Sequence, residues 1–297
     1  MKRLVFASVL AVSTLWFSAP ASASMPPPLP AASTSFNAGS LHVDVYGTAN
    51  KPAMIFIPGL TCGPWEWAGE IARFSPQYTI YALTLPGFDG RPAIQGPLFE
   101  TVTSDFWSLL QSHGIDKPIV IGHSLGGTLA IMLAEQHSQR LRAIIAVDGM
   151  PIFPGMERLT PAERESAAQR FASMLSAAQT PQQFEYAEKT YALPTLMSSP
   201  SDIAAVAPLV AKSDPKASGA WAAEDVRTDL RPQLGRISVP LLEVVPGSTQ
   251  VPYYASLLAG DSTAHIVPVE NSRHFVMYDQ PQALHAAIAQ FLSGTHA

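Results

Sequence analysis

The chain has 297 residues, of which 47% are apolar and 14% charged, so it can bury a sizeable core. Its formal net charge is −5 and no basic cluster occurs along it, which excludes nucleic acid as an expected partner. A single cysteine, Cys62, excludes an intrachain disulfide. No group of cysteines and histidines has metal-ligand spacing, so we expect neither a metal nor a cofactor.

The amino terminus predicts export. A basic start, Met1–Arg3, is followed by an apolar run up to Phe17 and by a small-residue cleavage site, Ala21–Ala23. This order is typical of a secretory signal peptide over residues 1–23. The alternative, an uncleaved anchor, is disfavoured because the apolar run is short for a bilayer span. We therefore expect a periplasmic or secreted protein with no stable membrane anchor.

Short apolar strands and helices alternate after a segment rich in proline and serine, residues 24–35, which predicts an extended tether. The alternation covers residues 36–149 and 230–297 and is typical of an α/β core with a mostly parallel, doubly wound sheet flanked by helices. Between them, residues 150–229 contain helix starts but no strong strand, which predicts an inserted helical cap. The predicted strands are, in order, Leu41–Tyr46, Ala53–Ile57, Tyr78–Leu85, Lys117–Ile121, Arg142–Val147, Val239–Val245 and Thr263–Val269.

The most informative motif is a serine between two glycines, in the run Gly122–Gly127. A predicted strand comes before the motif and a predicted helix after it. A sharp turn from strand to helix presents the hydroxyl of Ser124 above the sheet edge, and Gly122 and Gly126 lack the Cβ atoms that would clash there. The pattern therefore predicts Ser124 as a nucleophile.

A serine nucleophile needs a base within hydrogen-bond reach. Of the eight histidines, His274 alone follows the last predicted strand in a polar loop. The carboxyl ends of parallel strands meet at one edge of the sheet, which is where open α/β sheets place their sites. We therefore predict His274 as the general base and acid. An oxyanion hole needs two backbone N–H groups, and Leu125, directly after the nucleophile, supplies one.

Together these motifs resemble the α/β-hydrolase superfamily with a helical cap, over about residues 40–294. The resemblance implies the same roles for Ser124 and His274, and it implies that Leu60, in the turn after the second predicted strand, supplies the second oxyanion N–H. The superfamily most often carries its acid after the strand Val239–Val245, where this chain has Gln250.

Some members instead carry the acid one strand earlier, a position that Asp148 occupies in this chain. The resemblance thus implies that Asp148 orients His274. A structural alternative for Asp148 is that it only caps the turn into the predicted cap. Glu270 is a distant third choice for the acid, because it is close to His274 in sequence and we expect it to face solvent.

The function predicted from these residues is a serine hydrolase that cleaves small-molecule carboxylic esters. A lactonase, a thioesterase or a cofactor-free perhydrolase would use the same site. A ligand-binding protein with weak catalysis is the alternative from another class, and an interfacial lipase is a third. The first cap helix has an apolar face that packs on the body or lines a substrate chamber, with packing as the default; it consists of Phe171, Met174, Leu175 and Ala178. The sequence does not predict an oligomeric state.

Overall fold

The computed structural model describes residues 28–294; residues 1–27 and 295–297, and with them the predicted signal peptide, lie outside the described residues. One sheet of eight strands has the order β1-β2-β4-β3-β5-β6-β7-β8. The strands are β1 Thr34–Ala38, β2 Leu41–Gly47, β3 Ala53–Ile57, β4 Thr79–Thr84, β5 Ile119–His123, β6 Ala143–Val147, β7 Leu241–Pro246 and β8 Ala264–Val269. Strand β2 pairs antiparallel with β1 and β4, and the other neighbours are parallel.

The fold class predicted from the sequence is confirmed, and the seven predicted strands are all present. The sequence did not predict β1, which begins at Thr34, within the segment predicted as a tether. Its five residues are mostly exposed and have little apolar alternation, so their signal is weak. Pairing with β2 at the sheet edge supplies the hydrogen bonds that fix it.

Helices cover both faces of the sheet, as the apolar character of the central strands requires. On β3, Met54 and Phe56 belong to one apolar cluster and Ile55 and Ile57 to the other. Helices α1 and α11 contribute to the first cluster, and α2 and α3 to the second. The helices are α1 Ala68–Phe74, α2 Leu98–Ser112, α3 Leu125–His137, α4 Pro161–Leu175, α5 Pro181–Ala187, α6 Leu193–Leu196, α7 Pro200–Val210, α8 Pro215–Arg227, α9 Val251–Leu257, α10 Val276–Asp279 and α11 Pro281–Gly294. No helix of the described chain has the length and apolarity that a membrane crossing requires.

Helices α4–α8 lie between β6 and β7, in the segment predicted as the cap. The sequence signals act as expected at their starts. Thr160 and Glu163 form a reciprocal capping box on α4, and the Thr180 side chain accepts a hydrogen bond from the backbone N–H of Gln183 on α5. A single antiparallel bridge, Ile152 to Asp229, joins the two ends of this segment.

Helix α8 fastens the cap to the core. The indole N–H of the fully buried Trp221 donates to the carbonyl of Pro86 at 2.9 Å, and its ring packs against Phe88 and Phe99. The carboxylate of Glu224 accepts from the backbone N–H groups of Leu98 and Phe99, at the start of α2. A negative charge at a helix amino terminus satisfies its unpaired donors and its dipole.

We expect Trp221→Ala to lower the free energy of unfolding by about 3–5 kcal/mol, because it leaves a large cavity between cap and core. Trp221→Phe keeps an aromatic ring but loses the hydrogen bond to Pro86, so we expect a smaller loss for it, about 1–3 kcal/mol. Urea unfolding of both variants measures the two values. Equal stability of wild type and Trp221→Ala would contradict this anchoring role.

Candidate active site

Ser124 occupies the strained turn that its motif predicts. It follows β5 directly, its φ of 52° lies in the left-handed region, and α3 begins at the next residue. Its backbone N–H donates to the carbonyl of Val147 on the neighbouring strand β6 at 3.0 Å. A Cβ on Gly122 would lie 2.0 Å from the carbonyl oxygen of Gly126, and one on Gly126 would lie 2.3 Å from that of Ile57. Both glycines are therefore sterically required.

His274 and Asp148 meet across the edge of the sheet. His274 lies in the loop between β8 and α10, and Asp148 is the first residue after β6. The Nδ1 atom of His274 donates to Oδ2 of Asp148 at 2.5 Å. The loop after β8 therefore places His274 against Asp148 at the end of β6, although the two residues are far apart in sequence.

Asp148 has a second partner that the sequence did not predict. The hydroxyl of Tyr254, on α9, donates to Oδ1 of Asp148. Tyr254 is 2% exposed and Asp148 8%, so solvent competes little for these hydrogen bonds. Each carboxylate oxygen of Asp148 thus has its own donor.

Hydrogen bonds to the neighbouring strand β7 hold the turn at Asp148. Asp148 has a φ of 50°, and its N–H donates to the carbonyl of Val244 on β7 at 2.8 Å. The fully buried carboxyl of Glu243, also on β7, accepts from the N–H of Gly149 at 3.2 Å. Burial, together with the neighbouring charge of Asp148, raises the pKa of Glu243 well above its ordinary value. The Glu243 carboxyl therefore holds the backbone of the residue next to Asp148.

A buried pair of side chains, Glu66 and His123, links three parts of the site. Oε1 of Glu66 accepts from Nδ1 of His123 at 2.6 Å, and Oε2 accepts from the N–H of Gly59 at 2.9 Å. The other ring nitrogen of His123 donates to the backbone carbonyl of His274 at 3.0 Å. Both ring nitrogens therefore face acceptors, which an imidazolium satisfies. Burial alone would lower the pKa of His123, but the Glu66 carboxylate raises it above its ordinary value.

The two predicted oxyanion donors, Leu125 and Leu60, lie on separate segments of the core. Leu125 is the first residue of α3, where a backbone N–H has no partner within the helix. Leu60 lies in the turn after β3, which closes with a hydrogen bond from Cys62 N–H to the Gly59 carbonyl at 3.1 Å. Leu60 also lines the same cavity as Ser124. The Cys62 thiol is buried and its pKa is raised by that burial and by Glu66.

A cavity of about 590 Å³ lies between the core and the cap, and Ser124, Asp148 and His274 all line it. Its wall is mainly apolar. Of the four residues predicted as the apolar face of the first cap helix, Phe171, Met174 and Leu175 line this cavity, so the default of packing alone is wrong for them. The fourth, Ala178, lies beyond the end of α4. Two carboxyls from the cap segment, Glu188 and Asp225, line it as well.

Gln250, at the usual acid position, lines the cavity but brings no carboxylate to it. Glu270 lies at the surface, where Oε1 accepts from the N–H of Ser248 at 2.9 Å. Over residues 28–294, no group of three or more His, Cys, Asp or Glu side chains is arranged to hold a metal ion.

Sequence reasoning missed the roles of Glu66, His123 and Tyr254. A glutamate between Trp65 and Trp67 in an apolar run is a signal of a buried, paired carboxylate, and it could have been found. Tyr254 follows no recognised pattern, and α9 was not among the predicted helices.

The chain matches the alpha/beta hydrolase family over residues 54–287. Among curated proteins, it is 32% identical over 106 residues to 2-succinyl-6-hydroxy-2,4-cyclohexadiene-1-carboxylate synthase of Serratia proteamaculans, which covers 35% of this chain and 41% of that protein. It is 28% identical over 108 residues to epoxide hydrolase 1 of Caenorhabditis elegans, covering 35% and 27% of the two chains. The matches thus span half or less of these relatives' length.

Solved structures extend the likeness to the whole fold. The enol-lactonase of Burkholderia xenovorans superposes with a TM-score of 0.69 at 19% identity, over 90% of this chain and all of that one. A thermophilic esterase of Thermogutta terrifontis, with malate bound, gives a TM-score of 0.72 at 19% identity, over 86% and 94% of the two chains. At this identity the likeness concerns the fold alone. The resemblance inferred from the sequence motifs is confirmed: the chain belongs to the alpha/beta hydrolase family.

Proposed function

We propose that this protein is a serine hydrolase that cleaves carboxylic esters through an acyl-enzyme on Ser124. The observation that supports it best is the contact between His274 and Asp148, which line the same cavity as Ser124. A serine on a strained turn, a histidine and a buried carboxylate are the parts that acyl transfer requires.

In the proposed reaction, Oγ of Ser124 attacks the ester carbonyl carbon while Nε2 of His274 takes the serine proton. Asp148 stabilises the resulting imidazolium, and the N–H groups of Leu60 and Leu125 bind the oxyanion. Collapse of the tetrahedral intermediate breaks the bond to the alcohol, which His274 protonates. A water molecule, activated by His274, then hydrolyses the acyl-enzyme and restores the Ser124 hydroxyl.

The cavity favours small or moderate-sized esters without negative charge. Its wall is mainly apolar, and no lysine or arginine is among the described residues that line it. The name of the synthase relative includes a carboxylate, and the described cavity lining has no lysine or arginine to pair with such a group. The epoxide hydrolase relatives are a weaker guide, because a serine occupies the nucleophile position here and not an aspartate.

The ligand-binding alternative rested on the missing carboxylate at Gln250. Asp148, held by His274 and Tyr254, offers the charge that Gln250 lacks. We therefore favour an enzyme over a binding protein.

We also propose that residues 1–23 direct its export.

A fluorophosphonate probe should label wild type and not Ser124→Ala, because only Ser124 is expected to have an activated hydroxyl. Labelling is read by in-gel fluorescence, and circular dichroism checks that the variant is folded. Ser112→Ala, which removes an exposed hydroxyl at the end of α2, should be labelled like wild type. Equal labelling of wild type and Ser124→Ala would refute the assignment.

Tyr254→Phe should lower kcat for a short-chain ester by about tenfold, because Asp148 loses one of its two donors and holds His274 less firmly. KM should change little, since the substrate contacts remain. Tyr81→Phe, on β4 and away from the cavity, is the matched control and should keep the wild-type kcat. A change in KM with an unchanged kcat would argue against a positioning role for Tyr254.

The second candidate is an interfacial lipase, which the large exposed apolar side chains of the cap favour: Met174, Tyr186 and Tyr191. We expect ordinary esterase behaviour, in which the rate with tributyrin saturates smoothly through the solubility limit of the ester. A titration of rate against tributyrin concentration decides between the two. A sharp rise in rate above that limit would favour the lipase.

A further inference from the structure

The carboxyl of Glu188 lines the cavity without a partner of its own. Glu188 begins a π-helical turn, Glu188–Ala192, directly after α5, and such turns occur frequently at functional sites. The residue is 8% exposed, and among the described residues its carboxyl takes part in no hydrogen bond or ion pair. Burial raises its pKa to about 7.

A buried carboxyl without a partner is costly, and a native structure retains such a group for a reason. The three other buried glutamates of the described chain each have at least one partner. Glu66 bonds to His123 and Gly59, Glu70 bonds to Arg73 and His285, and one oxygen of Glu243 bonds to Gly149. Glu188 instead lines the cavity, where a bound molecule can supply a donor that the protein does not.

The rest of the cavity wall indicates the charge of that molecule. Asp225 on α8 is a second carboxyl of the lining, 9% exposed, and burial raises its pKa to about 7 as well. No lysine or arginine of the described lining opposes these two groups, and His123 is already paired with Glu66. An ammonium group would satisfy Glu188 with a charge-assisted hydrogen bond in an apolar setting, whereas a carboxylate would be repelled.

We propose that Glu188 is a specificity-determining residue that binds an amine on the substrate, so that the preferred ester carries a basic amino group. This inference rests on the proposed function in one respect, since it takes the substrate to be an ester. Binding of an amine at Glu188 does not itself depend on catalysis. The amine lies against Glu188, between the cap and the turn that holds Leu60, and the ester carbonyl lies at Ser124.

Binding tests the site without any chemistry. Hexylamine, hexanol and hexanoate are titrated by calorimetry into Ser124→Ala at neutral pH. We expect hexylamine to bind about tenfold more tightly than hexanol, and hexanoate most weakly, because one charged hydrogen bond separates the first two. Adding Glu188→Gln should remove that tenfold preference. Adding Glu185→Gln, on α5 and outside the cavity lining, should leave it unchanged.

The proposal is overturned if hexylamine binds no more tightly than hexanol, an outcome that needs no second variant. It is also overturned if Glu188→Gln keeps the preference, or if only Asp225→Asn removes it, since the site would then belong to Asp225.

Kinetics separate this inference from the proposed function. The ratio of kcat/KM for the p-nitrophenyl esters of aminohexanoic and hexanoic acid should fall about tenfold in Glu188→Gln. If both esters are hydrolysed through Ser124 and the ratio stays constant, the inference alone fails. If neither ester is hydrolysed while hexylamine binds as expected, the proposed function fails and the amine site stands.

Discussion

The buried pair of Glu66 and His123 is the interaction on which the geometry of the site depends. One carboxylate oxygen of Glu66 holds the turn that contains Leu60, and the other holds the histidine next to Ser124. That histidine in turn holds the backbone of His274. Three segments that are distant in sequence are thus fixed to one another by three hydrogen bonds beneath the cavity. A buried charge is costly unless it is paired, and here each charge is paired and further hydrogen-bonded.

Hydrogen bonds from distant segments also hold Asp148, the proposed acid, directly after β6. The loop after β7 brings Gln250 to the cavity where a carboxylate is more usual, but the helix that follows brings Tyr254. Tyr254 bonds to Asp148, which also bonds to His274. The buried carboxyl of Glu243 accepts from the N–H of Gly149 and so holds the backbone next to Asp148. The cost of this arrangement is backbone strain, since Thr61, Ser124 and Asp148 all have positive φ.

The sequence predicted most of the fold because apolar strands and well-capped helices are local signals. The sharp turn at Ser124 was predictable for the same reason, since Gly122 and Gly126 are a steric requirement of that one turn. The contact between His274 and Asp148 was expected from a resemblance, and the structure brings the two residues together. The roles of Tyr254 and Glu188 were not predictable, because they depend on which long-range neighbours the packing of α9 and the cap supplies. The signal peptide over residues 1–23 stays a prediction.

The central claim is that Asp148 supplies the charge that His274 needs during ester cleavage. The most direct test is kcat of Asp148→Asn on a short-chain p-nitrophenyl ester. The matched control is Glu270→Gln, which removes the third-choice acid of the loop that contains His274. We expect a loss of about 10⁴-fold for Asp148→Asn, with an unchanged melting temperature. Glu270→Gln should stay within about twofold of wild type, as expected of a surface substitution. A wild-type kcat in Asp148→Asn, or a large loss in Glu270→Gln alone, would contradict it.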